Sequence, residues 1–550
     1  MASVAQHGHP NIPPINNEPM RNYEPGSKDR AGLQKAVDEM IKAGPVEVPC
    51  VINGKAVTTG RTNKQLNPSN HASAVAVYQE ADAALIGEAI EGALAAKVTW
   101  EDMPWVDRAA IFLRAADLIA GKYRYKIMAA TMLGQGKNVW QAEIDAAAEI
   151  CDFFRFGVAQ VAELYSQQPA KHAPGVWNKM EYRPLEGFVL AVSPFNFTAI
   201  GGNLPGAPAL VGNVVIWKPS PMAVLSNYIV YQILEEAGLP AGVIQFTPGP
   251  AEEIVKTCTD HRKFASLHFT GSTYVFRQLW KQIVSNIDNY VSYPRIVGET
   301  GGKNFHLVHP SANVTMAVHE SIRAAFEYQG QKCSALSRLY VPASLWNNGF
   351  KDELVKEIKS ITLGPVEDFK HFMGPVISKG SFDKSVGFAE AAKKEGGIIL
   401  AGGKGDDSKG YYVEPTLIQT ENPRSTTMVN EIFGPVLTAY VYDDSKPDFW
   451  KSICAEVDGC TEYALTGAVF AKDRQAVVEA NSYLRNASGM FYVQCKCTGA
   501  VVGQQPFGGG RASGTNDKAG SISIFYRFVN QRTTKENMID IDHFSYPHNA

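Results

Sequence analysis

A chain of 550 residues exceeds what one simple hydrophobic core accommodates, so two or three domains are expected. A hydrophobic share of 45% and a charged share of 19% describe a soluble globular protein. The formal net charge of −3 gives no basis for a nucleic-acid partner, and no run of 18 apolar residues offers a membrane span.

The first stretch, MASVAQHGHPNIPPINNEP, has no arginine before Arg21 and no apolar h-region, so it matches neither a secretory signal nor an Arg-rich transit peptide. Residues 1–30 are Pro- and Asn-rich and are expected to form an irregular arm. From Asp82 to about Tyr165 the apolar residues recur with helical period. Leu85, Ala89, Ile90, Ala93 and Leu94 make one such stripe, WVDRAAIFLRAADLIAG (105–121) a second, and QAEIDAAAEICDFFRFGVAQVAEL (141–164) a third. Beyond about residue 186 the texture changes to short apolar runs closed by Pro, Gly or Ser: GFVLAVSPF, NVVIWKPS, GVIQFTPG and FASLHFTGS. Helical patterns such as SNYIVYQILEEAG (226–238) lie between them, which predicts a βαβ nucleotide-binding domain. After Glu299 a second α/β set follows, with NFHLVH, SRLYVP, GPVLTAYVY and TGAVFA as strands and 402–410 as a surface loop.

Three positions invite chemistry. Gly271-Ser272 lies where a strand hands over to an amphipathic helix, and a helix N-terminus suits a pyrophosphate. The G-x-G-x-x-G fingerprint is absent, and a Gly-Ser pair at a helix start is also an ordinary turn. Lys218 ends an apolar strand, where α/β sheets bind ligands or where a lysine is simply solvated. Cys333 stands in QGQKCSALSR among Gly330, Lys332 and Ser334, a setting that suits a reactive sulfur better than a packed one. The other seven cysteines are scattered, as in a reducing compartment. Cys495 and Cys497 face one way on a strand, but two ligands do not make a metal site.

SPFNFT (193–198), IWKPS (216–220), FTGST (269–273), GETGGKN (298–304), GQKCS (330–334), EIFGP (431–435) and PFGG (506–509), in that order, resemble the aldehyde dehydrogenase superfamily over roughly residues 50–530. The resemblance implies an α/β protein with a Rossmann-like NAD-binding domain, an α/β catalytic domain and a small β-hairpin oligomerisation element. It implies boundaries of 1–50 for the N-terminal arm, 51–166 and 186–300 for the NAD-binding domain, and 301–495 for the catalytic domain. The oligomerisation element and C-terminal tail are then 167–185 and 496–550. AEIDAAAEICDFFRF (142–156), SPFNFTAIGGNLPGAPALVGN (193–213), Lys332 before the cysteine, and GQQPFGGGRASGTNDK (503–518) are similar to the branch that oxidises L-glutamate γ-semialdehyde in proline catabolism. Another semialdehyde or aliphatic aldehyde is the alternative substrate, and a catalytically silent member the alternative class.

On this resemblance Cys333 attacks the aldehyde and forms a thiohemiacetal, the Asn196 amide and the Cys333 N–H hold the alkoxide, and Glu299 activates the water that hydrolyses the thioester. Lys218 and Ser220 fall to the adenine ribose side of NAD, Gly271, Ser272 and Thr273 to the pyrophosphate, Ser193 to the nicotinamide half, and Glu431 and Phe433 to its ribose. Pro221 occupies the position where many NAD-preferring members carry Glu, so NADP is less firmly excluded. Ser334 and the N–H groups of Gly499 and Ala500 would hold the substrate carboxylate, with Phe197 and Phe507 flanking its aliphatic chain. The resemblance also implies a homodimer or higher homo-oligomer. It implies a mitochondrial location, with a cytoplasmic one as the alternative because no presequence is visible.

Overall fold

The apolar runs that close on Pro, Gly or Ser become buried parallel strands. The computed structural model describes residues 8 and 10–549. In it one sheet is built from β1 (Cys50–Ile52), β2 (Lys55–Val57), β3 (Phe188–Val192), β4 (Val214–Lys218), β5 (Ile244–Phe246), β6 (Phe264–Thr270) and β7 (Arg295–Glu299). Their spatial order is β7-β6-β3-β4-β5-β1-β2. β3 to β7 pair in parallel, while β1 and β2 extend the edge antiparallel. Every residue of β3 to β6 is buried, which explains why these runs lack polar alternation. The helices Thr198–Leu210, Val224–Ala237, Ala251–Asp260 and Thr273–Ser285 make the crossovers.

A helical block precedes this sheet over Ala83–Glu101, Trp105–Ala120, Arg124–Gln135 and Ile150–Ser166. Its first helix starts where Asp82 accepts a hydrogen bond from the Leu85 N–H, and the second stops at Gly121. One turn departs from the expected α-helix. Glu143–Glu149 is π-helical, a form that is rare and frequent at functional sites.

The second sheet comprises β8 (Asn304–Val308), β9 (Leu336–Pro342), β10 (Ile398–Ala401), β11 (Thr416–Thr420), β12 (Val436–Tyr442), β13 (Thr466–Phe470) and β14 (Met490–Val493). Its order is β10-β11-β12-β9-β8-β13-β14, parallel except for the β10–β11 pair. The expected loop at 402–410 is mostly that, with Gly405–Asp406 paired to Tyr412–Val413.

The N-terminal arm differs from expectation. Lys28–Ala43 is a helix capped by Ser27, and the segment before it is pinned to the helical block. Asn17 Nδ2 donates to Asp152 at 2.8 Å, and the Arg21 N–H and the Tyr23 hydroxyl both donate to Glu143 at 2.8 and 2.7 Å. Arg124 pairs with Glu18 and Glu143 in the same buried knot. Composition reported the missing regular structure at 10–26 but not these anchors. The small antiparallel element joins Val176–Pro184 to Val529–Asn537 over nine residue pairs, so its two strands come from distant parts of the chain.

Candidate functional site

The strand order reverses direction at β3. From β3 the chain proceeds to β4 on one side, and from β6, its other neighbour, to β7. Ligands of open α/β sheets bind outside the carboxyl ends of strands at such a point. Ser193 and Asn196 follow β3, Lys218 ends β4, Gly271 and Ser272 follow β6, and Glu299 ends β7.

These residues differ in how free they are. The Lys218 amine is buried, and burial pushes it down to about 8 with no offsetting carboxylate. The Ser272 hydroxyl accepts from the Val275 N–H and caps the helix Thr273–Ser285. Thr273 Oγ1 accepts from the Gly301 N–H at 3.3 Å and lies 3.4 Å from the Ala512 carbonyl, to which it donates. The Ser193 hydroxyl accepts from Trp217 Nε1 at 2.8 Å and donates to the Gly201 carbonyl at 3.1 Å. Ser220 accepts from the Met222 N–H at 3.3 Å. The side chains of Ser193, Ser220, Ser272 and Thr273 therefore hold the loops, and the backbone is left to face a ligand.

Cys333 reaches the same region from the second sheet. The helix Val314–Phe326 ends in a turn where Tyr328, Gln329 and Gly330 all have positive φ, 51°, 55° and 68°. Left-handed backbone at two successive non-glycine residues, Tyr328 and Gln329, is costly and persists only when the surroundings over-determine it. Here they do. The Tyr328 hydroxyl donates to the Gln135 carbonyl at 2.9 Å. Gln329 Nε2 donates to the carbonyls of Gly136 and Pro375, and its Oε1 accepts from the Gly374 N–H. Next, Asn304 Nδ2 donates to the carbonyls of Cys333 and Ala335 at 2.8 and 2.7 Å. Asn196 Nδ2 donates to the Gln331 carbonyl at 3.0 Å and so joins the two loops.

Cys333, Glu299, Ser334, Phe197, Phe507, Gly499 and Ala500 line one cavity between the sheets. Asn196 stands beside it on the Gln331 carbonyl. Ser334 and Thr498 share a 2.7 Å hydroxyl hydrogen bond, and Gly499 next to it has φ 93°, a conformation glycine adopts without strain. Glu431 and Phe433 line a smaller cleft behind the cysteine loop, together with Gly302 and Lys332. The Glu431 carboxylate accepts from the Gly302 N–H at 2.8 Å. Phe433 has φ 59° and sets its ring edge-on to Phe195.

Burial dominates the electrostatics. It pushes the Cys333 thiol well up, and the carboxyl groups of Glu299 and Glu431 add to the rise, while the N–H groups of Ser334 and Cys333 oppose it. Burial and Asp517 hold Glu299 well above the usual carboxylate range, and Glu299 Oε2 has no hydrogen-bond partner among the described residues. A thiol that opens on such a base, in a water-poor cavity, suits covalent attack followed by assisted hydrolysis. No group of three or more metal-ligating side chains occurs among the described residues. Cys497 is buried with its thiol directed at the Ser334 carbonyl, while Cys495 is exposed.

Several site residues were not legible from the sequence. Thr498 passes as a loop threonine. Glu149 and Phe153 also line the cavity, yet in the sequence they read as part of an amphipathic stripe. Burial and Asp145 push Glu149 up to about 8, opposed by Lys137 and Lys332. The signal that could have found Glu149 is its excess of acidic neighbours on a stripe otherwise made of Ala, Ile and Phe.

Residues 56–534 match the Aldehyde dehydrogenase family. The Delta-1-pyrroline-5-carboxylate dehydrogenase of Agaricus bisporus is 63% identical, over 98% of both chains. The mitochondrial Delta-1-pyrroline-5-carboxylate dehydrogenase of Emericella nidulans is 56% identical, over 98% of this chain and 94% of that one. Among solved structures, the Delta-pyrroline-5-carboxylate dehydrogenase of Mycobacterium tuberculosis bound with NAD superposes with a TM-score of 0.94 at 44% identity, covering 100% of both chains.

Proposed function

The chain belongs to the aldehyde dehydrogenase family, and within it we propose that it oxidises L-glutamate γ-semialdehyde to L-glutamate with NAD, in proline catabolism. The reading is carried by one observation: a cysteine, a buried carboxyl group and the linked hydroxyls of Ser334 and Thr498 open on one cavity. Relatives named for this activity across nearly the whole chain support it.

Cys333 Sγ bonds to the aldehyde carbon as its proton passes to the Glu299 carboxylate and on to solvent, and the carbonyl oxygen becomes an alkoxide. The second N–H of Asn196 and the N–H of Cys333 stabilise that charge, typically by ~3–4 kcal/mol per donor. NAD, when bound, supplies the acceptor for the hydride that the collapsing alkoxide expels. A thioester on Cys333 remains. Glu299 takes a proton from water, the hydroxide adds to the thioester carbon, and the C–S bond breaks to release glutamate and the thiol. Lys218 would hold ribose hydroxyls, since its buried amine lacks an anionic partner. The backbone at Gly271 and Ser272 would hold the pyrophosphate, and Glu431 and Phe433 the nicotinamide ribose. On this assignment 51–166 and 186–300 serve the cofactor and 301–495 carries the nucleophile.

Phe197 and Phe507 flank the aliphatic chain. The hydroxyls of Ser334 and Thr498 and the N–H groups at Gly499 and Ala500 face its carboxylate, and Glu149 supplies a carboxyl group for the α-ammonium. The mitochondrial names of relatives support a mitochondrial location.

Ser334→Ala separates this substrate from the alternatives. Losing a hydrogen bond to a charged group costs ~1.5–3 kcal/mol. The specificity constant for glutamate semialdehyde should therefore fall roughly tenfold to over a hundredfold, with little change for propanal. Equal losses would assign Ser334 to the thiol and remove the substrate reading. No NADH formation with either aldehyde by the unmodified protein would remove the enzyme reading.

A further inference from the structure

Beside the cavity lies a fully buried ion pair that none of these steps uses. Lys137 follows the helix Arg124–Gln135 by one turn residue, and Asp145 sits in the π-helical stretch Glu143–Glu149. Lys137 Nζ lies 2.8 Å from Asp145 Oδ2, and both side chains have 0% exposure. Such pairs are expensive to desolvate and persist when every remaining donor and acceptor is satisfied.

Satisfaction here comes from the catalytic loops. The helix Thr198–Leu210 has no cap of its own, because its N-cap residue is Phe197. Asp145 caps it from across the fold: Oδ2 accepts from the Thr198 N–H at 2.9 Å and Oδ1 from the Ala199 N–H at 2.7 Å. The ammonium has three donors. One meets Asp145, and the others face two rings, with Nζ 3.9 Å from the centroid of Phe197 and 4.6 Å from that of Tyr328. Phe197 directly follows Asn196, and Tyr328 opens the left-handed run that delivers Cys333. A single cation thus touches both loops that carry reacting groups, while the one direct tie between them on the Asn196 side is its hydrogen bond to the Gln331 carbonyl.

We propose that Lys137 and Asp145 are positioning residues, a clamp that sets the Asn196 amide against the Cys333 loop and so governs formation of the thiohemiacetal. The inference rests on the aldehyde-oxidation reading above. A buried pair of this kind is often replaceable by apolar groups at no cost in stability, so its distinctive effect is expected on the acylation rate and not on folding.

The test is a double-mutant cycle on the single-turnover NADH burst with glutamate semialdehyde. A misplacement near 1 Å costs about a hundredfold, and Lys137→Met should slow the burst by about that factor while the KM for NAD stays close to that of the unmodified enzyme; its unfolding midpoint falls, because Asp145 is left buried and unpaired. In an Asn196→Ala background the same substitution should cost less than about threefold more, because the group it acts through is gone. If Lys137→Met alone fails to fold, Lys137→Met/Asp145→Asn, which leaves no unpaired buried charge, carries the same comparison. Losses that multiply in the two backgrounds, or a Lys137→Met burst within about threefold of the unmodified enzyme, would overturn the clamp. An absent burst in the unmodified enzyme would instead remove the aldehyde-oxidation reading, and the clamp with it.

Discussion

Cys333 is 8% exposed and sits among carboxyl groups, the opposite of the electropositive setting that lowers a thiol's pKa. Burial and these carboxyl groups therefore favour the protonated thiol. The sign is unambiguous: a raised thiol pKa means a vanishing thiolate fraction at neutrality, growing tenfold with each pH unit until the pKa is reached. Glu299 is held above the usual range as well, so the base form of both groups grows in the same direction. Alkylation of Cys333 by iodoacetamide, read by mass spectrometry between about pH 6 and pH 9, should rise ~tenfold per unit. A flat profile would show a preformed thiolate and contradict the electrostatics. The polar, glycine-flanked setting of Cys333 made it legible as a reactive cysteine, and seven ordered motifs made Asn196 and Glu299 legible beside it. Lys137 and Asp145 were not. A lysine after a helix end and an aspartate on a helix both have ordinary solvated readings, and only tertiary packing turns them into a buried pair between two aromatic rings.

At the scale of elements, strands and helices were read well where burial is uniform or periodic. The runs at 188–192, 214–218 and 264–270 are buried residue by residue, so local composition and tertiary environment agree. The π-helical turn at Glu143–Glu149 escaped because its extra residue per turn leaves the surrounding apolar stripe intact. The left-handed run before Cys333 escaped because Tyr328 and Gln329 carry no local preference for positive φ and are held there by distant carbonyls. Gly302, between β7 and β8, reports how tightly this loop is set. A Cβ at Gly302 would lie 2.2 Å from the Cys333 carbonyl oxygen, and that carbonyl is fixed by Asn304. Gly302→Ala must therefore move the cysteine backbone, and with it both the sulfur and the N–H aimed at the alkoxide. Such overpacking typically costs ~1–3 kcal/mol of stability, whereas displacing a nucleophile near 1 Å costs about a hundredfold in kcat/KM. Activity should thus fall far more than the unfolding midpoint. A variant within about threefold of the unmodified kcat/KM would mean that the loop yields without moving the sulfur.

At the scale of the whole molecule, one element makes little sense in an isolated chain. The ribbon of Val176–Pro184 and Val529–Asn537 has only two strands, and seven of the nine residues in its second strand are exposed. A two-stranded sheet is marginal by itself in water, and an outer edge is a template for further pairing; on the Val176–Pro184 side Gln168 and His172 already pair with Met180 and Asn178. Salt bridges Lys179–Glu536 and Arg532–Glu181 decorate it, but exposed pairs contribute little. The following tail is more telling: Met538, Ile539, Ile541, Phe544 and Tyr546 are 58%, 58%, 80%, 87% and 69% exposed, and Trp177 on the ribbon is 51% exposed. Isolated apolar side chains on a surface need no explanation, but a cluster on one projecting element marks an interaction site. We propose a second copy of the chain as the occupant, since a self-complementary contact lets each ribbon and tail cover the other's surroundings. Light scattering at micromolar concentration should therefore give a dimer or larger assembly. Replacing Ile539, Ile541 and Phe544 together by Ser should shift it toward monomer without altering the alkylation profile of Cys333. The second condition matters, because a variant that loses both assembly and the cysteine environment has unfolded and says nothing specific about the tail. A monomer in the unmodified protein at that concentration would refute the assembly, and the ribbon would then need another partner to cover its edges.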